Sequence, residues 1–521
     1  MRSGSIIPES PPSDMAKPNP SPNPQDAVLK QKLVRSLGLL WVGQVLTKAI
    51  VFLAFAIIAR RLMPSAYGAV EYAIGMGALA ALAIDGGLGS VGVRRLTQKL
   101  DSAATLVALI PAAQFILAVI IAPAMILFVA AFAKDSNALS IVYGVAASVL
   151  LLPWKQDWLF QAMGRMEHVV AAQVIRVVVF AAGVMFLIDK DTPLVAVGLI
   201  EFVSVACATA YMMIAQHFLL VPLAIRFSFA KLGSLAREGI PIGLGSICWA
   251  MTQYAPMFIL ATIMGMTQTA YFGAAHRLGV SLVVFSWIYH FNLFPVISRK
   301  LKDEPEAFAA LTQASIRATA WAGSAIALAL ALMAEPLLAI LFGPRFVAAA
   351  APFSILVWTF PLTLLSGHPR WILVAAGRAG DMLVAQVSGV VIAVTAGWLL
   401  IPYTGMMGAA TAMTLACAAV WCVAQIYVHK AGRKVPVLPA LPPMIVAAII
   451  VAWAQWTMLE PLTKSAIGFG MFVAAAFAFD RTLLIDLRNI LRRSAAEDTD
   501  ALAPSIILDA EQQARQANIL T

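Results

Sequence analysis

Arg60-Arg61-Leu62-Met63-Pro64-Ser65-Ala66-Tyr67-Gly68 is a polar turn between two long apolar segments, Ser36 to Ile58 and Val70 to Val91, and its reading decides the fold. The unit recurs in the second half of the chain. Leu62 to Tyr67 (LMPSAY) aligns with Met266 to Tyr271 (MTQTAY), again with a long apolar segment on each side. Repeated halves of this kind are the sequence trace of transporters whose substrate site lies between two moving bundles.

Composition agrees with that class. The 521 residues are 61% hydrophobic and 12% charged, with mean hydropathy +0.86, whereas soluble domains carry about 25% charge. Crossing a bilayer as a helix takes about 20 apolar residues, and runs of that length recur from Ser36 almost to Asp480. The expected fold is an all-α polytopic membrane protein of about fourteen transmembrane helices. The net charge of +10 does not indicate nucleic acid, because the positive residues sit in short connectors and not on a basic face. Cys207, Cys248, Cys417 and Cys422 lie inside apolar segments without disulfide or zinc spacing and read as small core residues. No catalytic residue, metal site or cofactor is expected.

The chain divides by composition. Residues 1–35, rich in Pro and Ser, have no apolar core of a secretory signal and read as a disordered cytoplasmic tail. A six-span unit covers 36–220, a cytoplasmic linker 221–238, a second six-span unit 239–430, two additional spans 431–486 and a second cytoplasmic tail 487–521. Connector charge gives the orientation. Arg94, Arg95 and Lys99, then Arg165, then Arg226, Lys231 and Arg237, then Arg299, Lys300 and Lys302, then Arg378, then Lys430, Arg433 and Lys434 occupy the even connectors. The odd connectors are poor in positive charge, which places both termini in the cytoplasm. Arg60 and Arg61 are the exception.

Several ordered motifs resemble those of the lipid-linked oligosaccharide flippases of bacterial polysaccharide export, also called polysaccharide biosynthesis proteins. They are Ala59-Arg60 through Tyr67-Gly68; Asp85-Gly86-Gly87-Leu88-Gly89 leading to Arg94-Arg95; Leu341-Phe342-Gly343-Pro344-Arg345-Phe346; Ala376 to Arg378; and Pro402-Tyr403-Thr404-Gly405 with Gly408-Ala409-Ala410. The family's usual Gly-Pro in the first turn reads Met63-Pro64 here. The same superfamily holds the MATE drug exporters and the lipid II flippases. The resemblance implies two pseudo-symmetric six-helix bundles facing a central cavity, with two extra C-terminal helices. It further implies transfer of an undecaprenyl-diphosphate-linked oligosaccharide across the inner membrane among membrane lipids, with a glycan polymerase as partner and a proton or sodium ion as coupling ion.

Ionisable side chains inside spans normally face a cavity or a partner. Lys48 lies mid-way along the first span, and Gln44 and Trp41 share its face. An anionic diphosphate suits a lysine point charge; the alternative is a structural pair of Lys48 with Asp85 or Glu201. In the second half Gln253 and Tyr254, with Trp249 and Thr252, are expected opposite Lys48, followed by His276 and Arg277 as substrate contacts. For Arg277 the alternative is snorkelling to headgroups. His276 and His290 read as satisfied polar core residues in preference to proton carriers. Asp85, Arg94 and Arg95 are the expected inner gate, through a salt bridge from Asp85 to one of the arginines. The alternative for Asp85 is capping of a helix break at Gly86-Gly87, and Arg176 with Glu201 reads as a structural pair.

Three rivals differ in what they require. A MATE-type exporter of cationic drugs calls for net acidic charge in the cavity, and a lipid II flippase changes only the substrate. A membrane glycan polymerase or ligase needs a carboxylate pair or a large outward loop, and the first periplasmic turn offers only Glu71.

Overall fold

The computed structural model describes residues 46–133, 135–220, 229–433 and 435–480. The described residues are helical throughout, without strands. Helix α1 is described over 46–61. It is followed by α2 (Pro64–Asp85), α3 (Leu88–Thr97), α4 (Ala103–Phe128), α5 (Ser136–Val149), α6 (Asp157–Ala162), α7 (Met166–Leu187) and α8 (Val195–Leu219). The second half holds α9 (Phe229–Met264), α10 (Met266–Asp303), α11 (Pro305–Leu332), α12 (Ala334–Phe342), α13 (Ala350–Leu356), α14 (Thr359–Ala375), α15 (Ala379–Thr404) and α16 (Met406–Lys430). Then come α17 (Leu441–Trp456) and α18 (Pro461–Phe479). Among the described residues 13 segments are long and apolar enough to cross a membrane, and α1 is not one of them because only part of it is described. The expectation of fourteen spans therefore turns on residues outside the described set.

Two lobes result. In the first, α2 packs on α4 and α5, and α8 on α5 and α7; in the second, α15 packs on α9 and α16, and α14 on α10, α11 and α16. The α17–α18 pair leans on α11, where Trp321 of α11 meets Phe472 of α18. The lobes meet along α2, which packs on both α9 and α10.

Where spans were expected to be continuous, several are broken, and the breaks follow local chemistry. Gly86 and Gly87 both take left-handed backbone angles, φ 52° and 76°, which only glycine adopts at no steric cost, so α2 stops and α3 restarts. Gly343 at φ 98° separates α12 from the turn leading to α13. The segment expected as a linker, 221–238, is helical from Phe229 onward as the start of α9. Cys207 and Cys422 are exposed on helix flanks, contrary to the core placement expected, and all four cysteines are free.

The repeated turn has a structural counterpart. Pro64 takes the first position of α2, where its missing N–H costs nothing, and Met266 opens α10 after Gly265 at φ 81°. The two copies meet. A Cβ at Gly68 would lie 1.9 Å from the Met266 carbonyl oxygen, so only glycine permits this approach. Tyr67 and Tyr271, equivalent in the repeat, both pack edge-on against Phe346, at 5.2 and 5.8 Å between ring centroids.

Candidate functional site

Arg60 and Arg61, which broke the charge pattern, are consumed by helix ends. The Arg61 guanidinium donates to the carbonyls of Val184, Met185 and Ile188 at 3.2, 2.8 and 2.5 Å, and so closes the C-terminus of α7. Arg60 donates to the carbonyls of Ile340 and Leu341 at the end of α12, which belongs to the other lobe. The last carbonyls of a helix lack intrahelical partners and carry partial negative charge, so a cation there is stabilising.

Further along the same side, Glu71 and Arg277 join the lobes. Glu71, expected in a turn, is buried two turns into α2. Arg277 of α10 donates to both of its oxygens, Nε to Oε1 and Nη2 to Oε2, each at 2.7 Å. This bidentate geometry is the strong form of the pair. Tyr67 donates a 2.5 Å hydrogen bond to Glu71 Oε1, and the Arg277 guanidinium lies over the Phe55 ring, 3.2 Å from its centroid. Arg277, expected to touch substrate, is thus held by a carboxylate and an aromatic face.

Phe55 leads to the cations beneath it. Lys48 is seven residues before Phe55 on α1, hence on the same face. Phe55 stacks on Phe180 of α7 at 5.7 Å, and Arg176 stands one turn before Phe180 on that helix. Lys48 accordingly lies within electrostatic range of both Arg176 and Arg277. Arg176 pairs with Glu201 of α8 at 2.5 Å, and the Glu201 carboxylate is buried while Arg176 is 45% exposed. Lys48 is exposed, and among the described residues no carboxylate pairs with it. Three cations and two carboxylates therefore cluster around Phe55, with Lys48 as the excess charge.

The other expected contacts are placed differently. Gln44, with Trp41, lies outside the described residues. Thr252 faces α15 beside Gly389, within its own lobe. Gln253 and His276 are buried, and Gln253 Oε1 and His276 Nε2 have no partner among the described residues. The His276 ring sits between Phe272 and Tyr254 at 5.7 and 5.4 Å. Tyr254 reaches across the lobes to α2, where a Cβ at Gly75 would lie 3.2 Å from its ring.

At the opposite end the expected gate is rewired. Asp85 makes no ion pair with Arg94 or Arg95. Its carboxylate accepts from the Gly87 and Gly89 amides at 3.2 Å each and from Gln114 Nε2 at 3.2 Å, and so caps the helix break. The amides freed by the two left-handed glycines are the nearer donors, and a carboxylate engaged by them has no reach left for an arginine nine residues on. Arg94 and Arg95 instead pair with Glu238 of α9, across the lobe boundary, and Arg95 also holds Asp101 at 3.0 Å. Beside them, a Cβ at Gly87 would lie 2.4 Å from the Gly239 carbonyl, and one at Gly243 2.5 Å from the Gly86 carbonyl carbon. The lobes are therefore tied at both ends of α2, by Glu71–Arg277 at one and by Arg94, Arg95 and Glu238 at the other.

Sequence reasoning did not single out Glu71, Phe55, Arg176 or Glu238 as parts of a site. Lys48 was found because it is a charge inside an apolar run. Glu71 and Glu238 pair across the lobes, and such a pair is marked in sequence only by isolated charges.

Comparison with known proteins follows the same lines. Residues 33–301 match the model of a family described as polysaccharide biosynthesis protein. No curated protein sequence matches the chain. Among solved structures, the lipid II flippase MurJ in an inward closed conformation superposes with TM-score 0.69 at 9% identity, covering 86% of this chain and 99% of that one. An inward-facing multidrug resistance MATE family transporter of the MOP superfamily superposes with TM-score 0.61 at 14% identity, covering 79% and 96%. An outward-facing one gives 0.52 at 14% identity, covering 82% and 97%. At these identities the likeness is one of fold.

Proposed function

Because this chain belongs to the polysaccharide biosynthesis protein family, whose model matches more than half of it, we propose that it is a flippase. It carries an undecaprenyl-diphosphate-linked oligosaccharide across the inner membrane by alternating access, for surface polysaccharide synthesis, with both termini in the cytoplasm. The observation that carries the reading is the net positive charge of a cluster in which Lys48 is added to the Arg176–Glu201 and Arg277–Glu71 pairs. A diphosphate is drawn to such a cluster, and a cationic drug is repelled from it.

Alternating access also needs the lobes to part at one end while they hold at the other. The Glu71–Arg277 tie and the Glu238 tie are the two contacts that must exchange. They differ in strength: Glu71 and Arg277 are largely shielded, with side chains 5% and 18% exposed, whereas Glu238 and Arg94 are 34% and 49% exposed. Exposed pairs contribute about 0.2–1 kcal/mol. The Glu238 end is therefore the readily opened one.

Two measurements test this. In a strain lacking the chain, the lipid-linked oligosaccharide should accumulate on the cytoplasmic leaflet, where an added glycosidase reaches it only after the inner face is exposed; restored export on re-expression is expected, and unchanged export in the deletion overturns the reading. Glu238→Gln should raise the population opened at that end by no more than about fivefold, the equivalent of about 1 kcal/mol. Pulsed electron resonance between spin labels at Thr97 and Arg237, exposed positions on α3 and α9, in a chain cleared of its four cysteines, reads that population as a longer distance. A distance distribution unaltered by Glu238→Gln removes the pair from the gate.

A further inference from the structure

The second lobe holds a buried chain of hydrogen-bonding groups that neither the substrate space nor the ties use. It joins three helices. Tyr289 and His290 come from α10, Ser315 from α11 and His368 from α14. His290 and His368 are 1% and 0% exposed, and their rings stand 4.8 Å apart and nearly perpendicular. His290 Nδ1 is 2.7 Å from the Ser286 carbonyl, and His290 Nε2 is 3.5 Å from His368 Nδ1. His368 Nδ1 is 3.2 Å from the Leu364 carbonyl, and His368 Nε2 is 2.7 Å from Ser315 Oγ, which is 2.5 Å from the Tyr289 hydroxyl. Room for the His290 ring is made by Gly367, where a Cβ would lie 2.2 Å from Cε1.

Carbonyl oxygens only accept, and this fixes every proton in the chain. His290 Nδ1 and His368 Nδ1 must each carry hydrogen, to donate to Ser286 and Leu364. His368 Nε2 is then a lone pair that accepts from Ser315, which accepts from Tyr289. Both imidazoles are neutral, and His290 Nε2 is the one ring nitrogen left with a lone pair facing a donor. A proton arriving there forms an Nε2–H bond, with hydronium as donor and water as product. It sets two N–H groups against each other across the α10–α14 contact. The charge already bearing on His290 is the Arg370 guanidinium of α14, which donates to the Ser366 carbonyl at 3.2 Å and has Cys417 of α16 beside it. No carboxylate faces the pair from α10, α11, α14 or α16 among the described residues. A proton on His290 therefore meets repulsion from both His368 and Arg370 and is relieved only when α10 and α14 separate.

We infer that His290 and His368 form a proton-binding site in the second lobe, whose loading moves α10 relative to α14 and thereby couples a proton to transport. The inference rests on the flippase reading for the word transport, and on the hydrogen-bond geometry alone for the movement. Coupling to the substrate space is direct, since α10 also carries Arg277, 13 residues before His290 and thus roughly 20 Å away along one helix. An imidazole titrates near pH 6.5 when unperturbed, which makes it the usual side chain for such a switch.

The test uses the full chain in lipid nanodiscs, with spin labels at Asn292 and Ala376, exposed positions on α10 and just after α14, titrated from pH 8 down to pH 3. The wild type should show a distance change with a midpoint in that interval, and His290→Gln should abolish it. The same change in His290→Gln overturns the proposal. Ser315→Ala leaves both imidazoles in place and decides the matter if His290→Gln does not fold. Without the serine donor the neutral form of His368 loses a hydrogen bond at Nε2 while its Nδ1 hydrogen stays on the Leu364 carbonyl, so proton binding at the pair is favoured and the midpoint should move to higher pH; a midpoint that stays or falls overturns the proposal. Export is measured separately. His290→Gln should lower it at least tenfold, and full export overturns coupling, whereas a chain that exports no glycan yet keeps the pH response disposes of the flippase reading and leaves the proton site standing.

Discussion

Lys48→Ala is expected to lower export roughly 10- to 100-fold while the protein accumulates at its normal level, because a hydrogen bond to a charged group contributes about 1.5–3 kcal/mol and each 1.4 kcal/mol is about tenfold. A lysine in the middle of a span costs roughly 2.5–3.5 kcal/mol to insert, and its removal relieves that cost. Its placement makes the two outcomes separable. Glu201 is engaged by Arg176, Glu71 by Arg277 and Asp85 by backbone amides, so none of these acids is stranded when Lys48 is lost. Lys48→Arg, which keeps the charge, should retain part of the export. Complementation of a flippase-deficient strain, with membrane levels measured in parallel, reads both quantities. A fall in level that matches the fall in export would make Lys48 a structural residue, and full export by Lys48→Ala would remove it from the site.

How much of this was legible in the chain depends on the range of the interaction. Apolar runs and their spacing gave the helices, since hydropathy over 20 residues is a local property. The repeat marked Tyr67 and Tyr271 as equivalents, whereas their common partner Phe346 lies in a different motif. Asp85 shows the limit from nearby: the sequence offered an arginine and two glycine amides, and the choice depended on backbone angles that only the fold sets. Arg60 and Arg61 stood out as an anomaly of charge, and the anomaly was correct; they close helix ends and say nothing of sidedness. Glu238 fell in what composition presents as a linker, and its partners are 143 and 144 residues away. No local pattern encodes a contact of that kind, because it exists only when the two lobes dock.

The Glu71–Arg277 tie should dominate stability. Both side chains are shielded from water and make two 2.7 Å hydrogen bonds to each other, and breaking a buried pair from one side costs about 3–5 kcal/mol, because the remaining charge is left without a partner. Arg277→Ala strands the Glu71 carboxylate, which keeps only the Tyr67 hydroxyl, and membrane levels should fall severely. Glu71→Ala strands a guanidinium that retains the Phe55 face, so its loss should be the smaller of the two. The double variant Glu71→Gln with Arg277→Gln removes both charges and should recover most of the protein. The recovered protein then separates the two roles of the pair. If Arg277 serves the lobe contact alone, the double variant should export with an altered balance between open ends, visible in the Thr97–Arg237 distance. If Arg277 leaves Glu71 to meet a phosphate during the cycle, the double variant should accumulate normally and still export at a small fraction of the wild-type rate. Levels that stay low in the double variant would show that the pair is not the source of the loss.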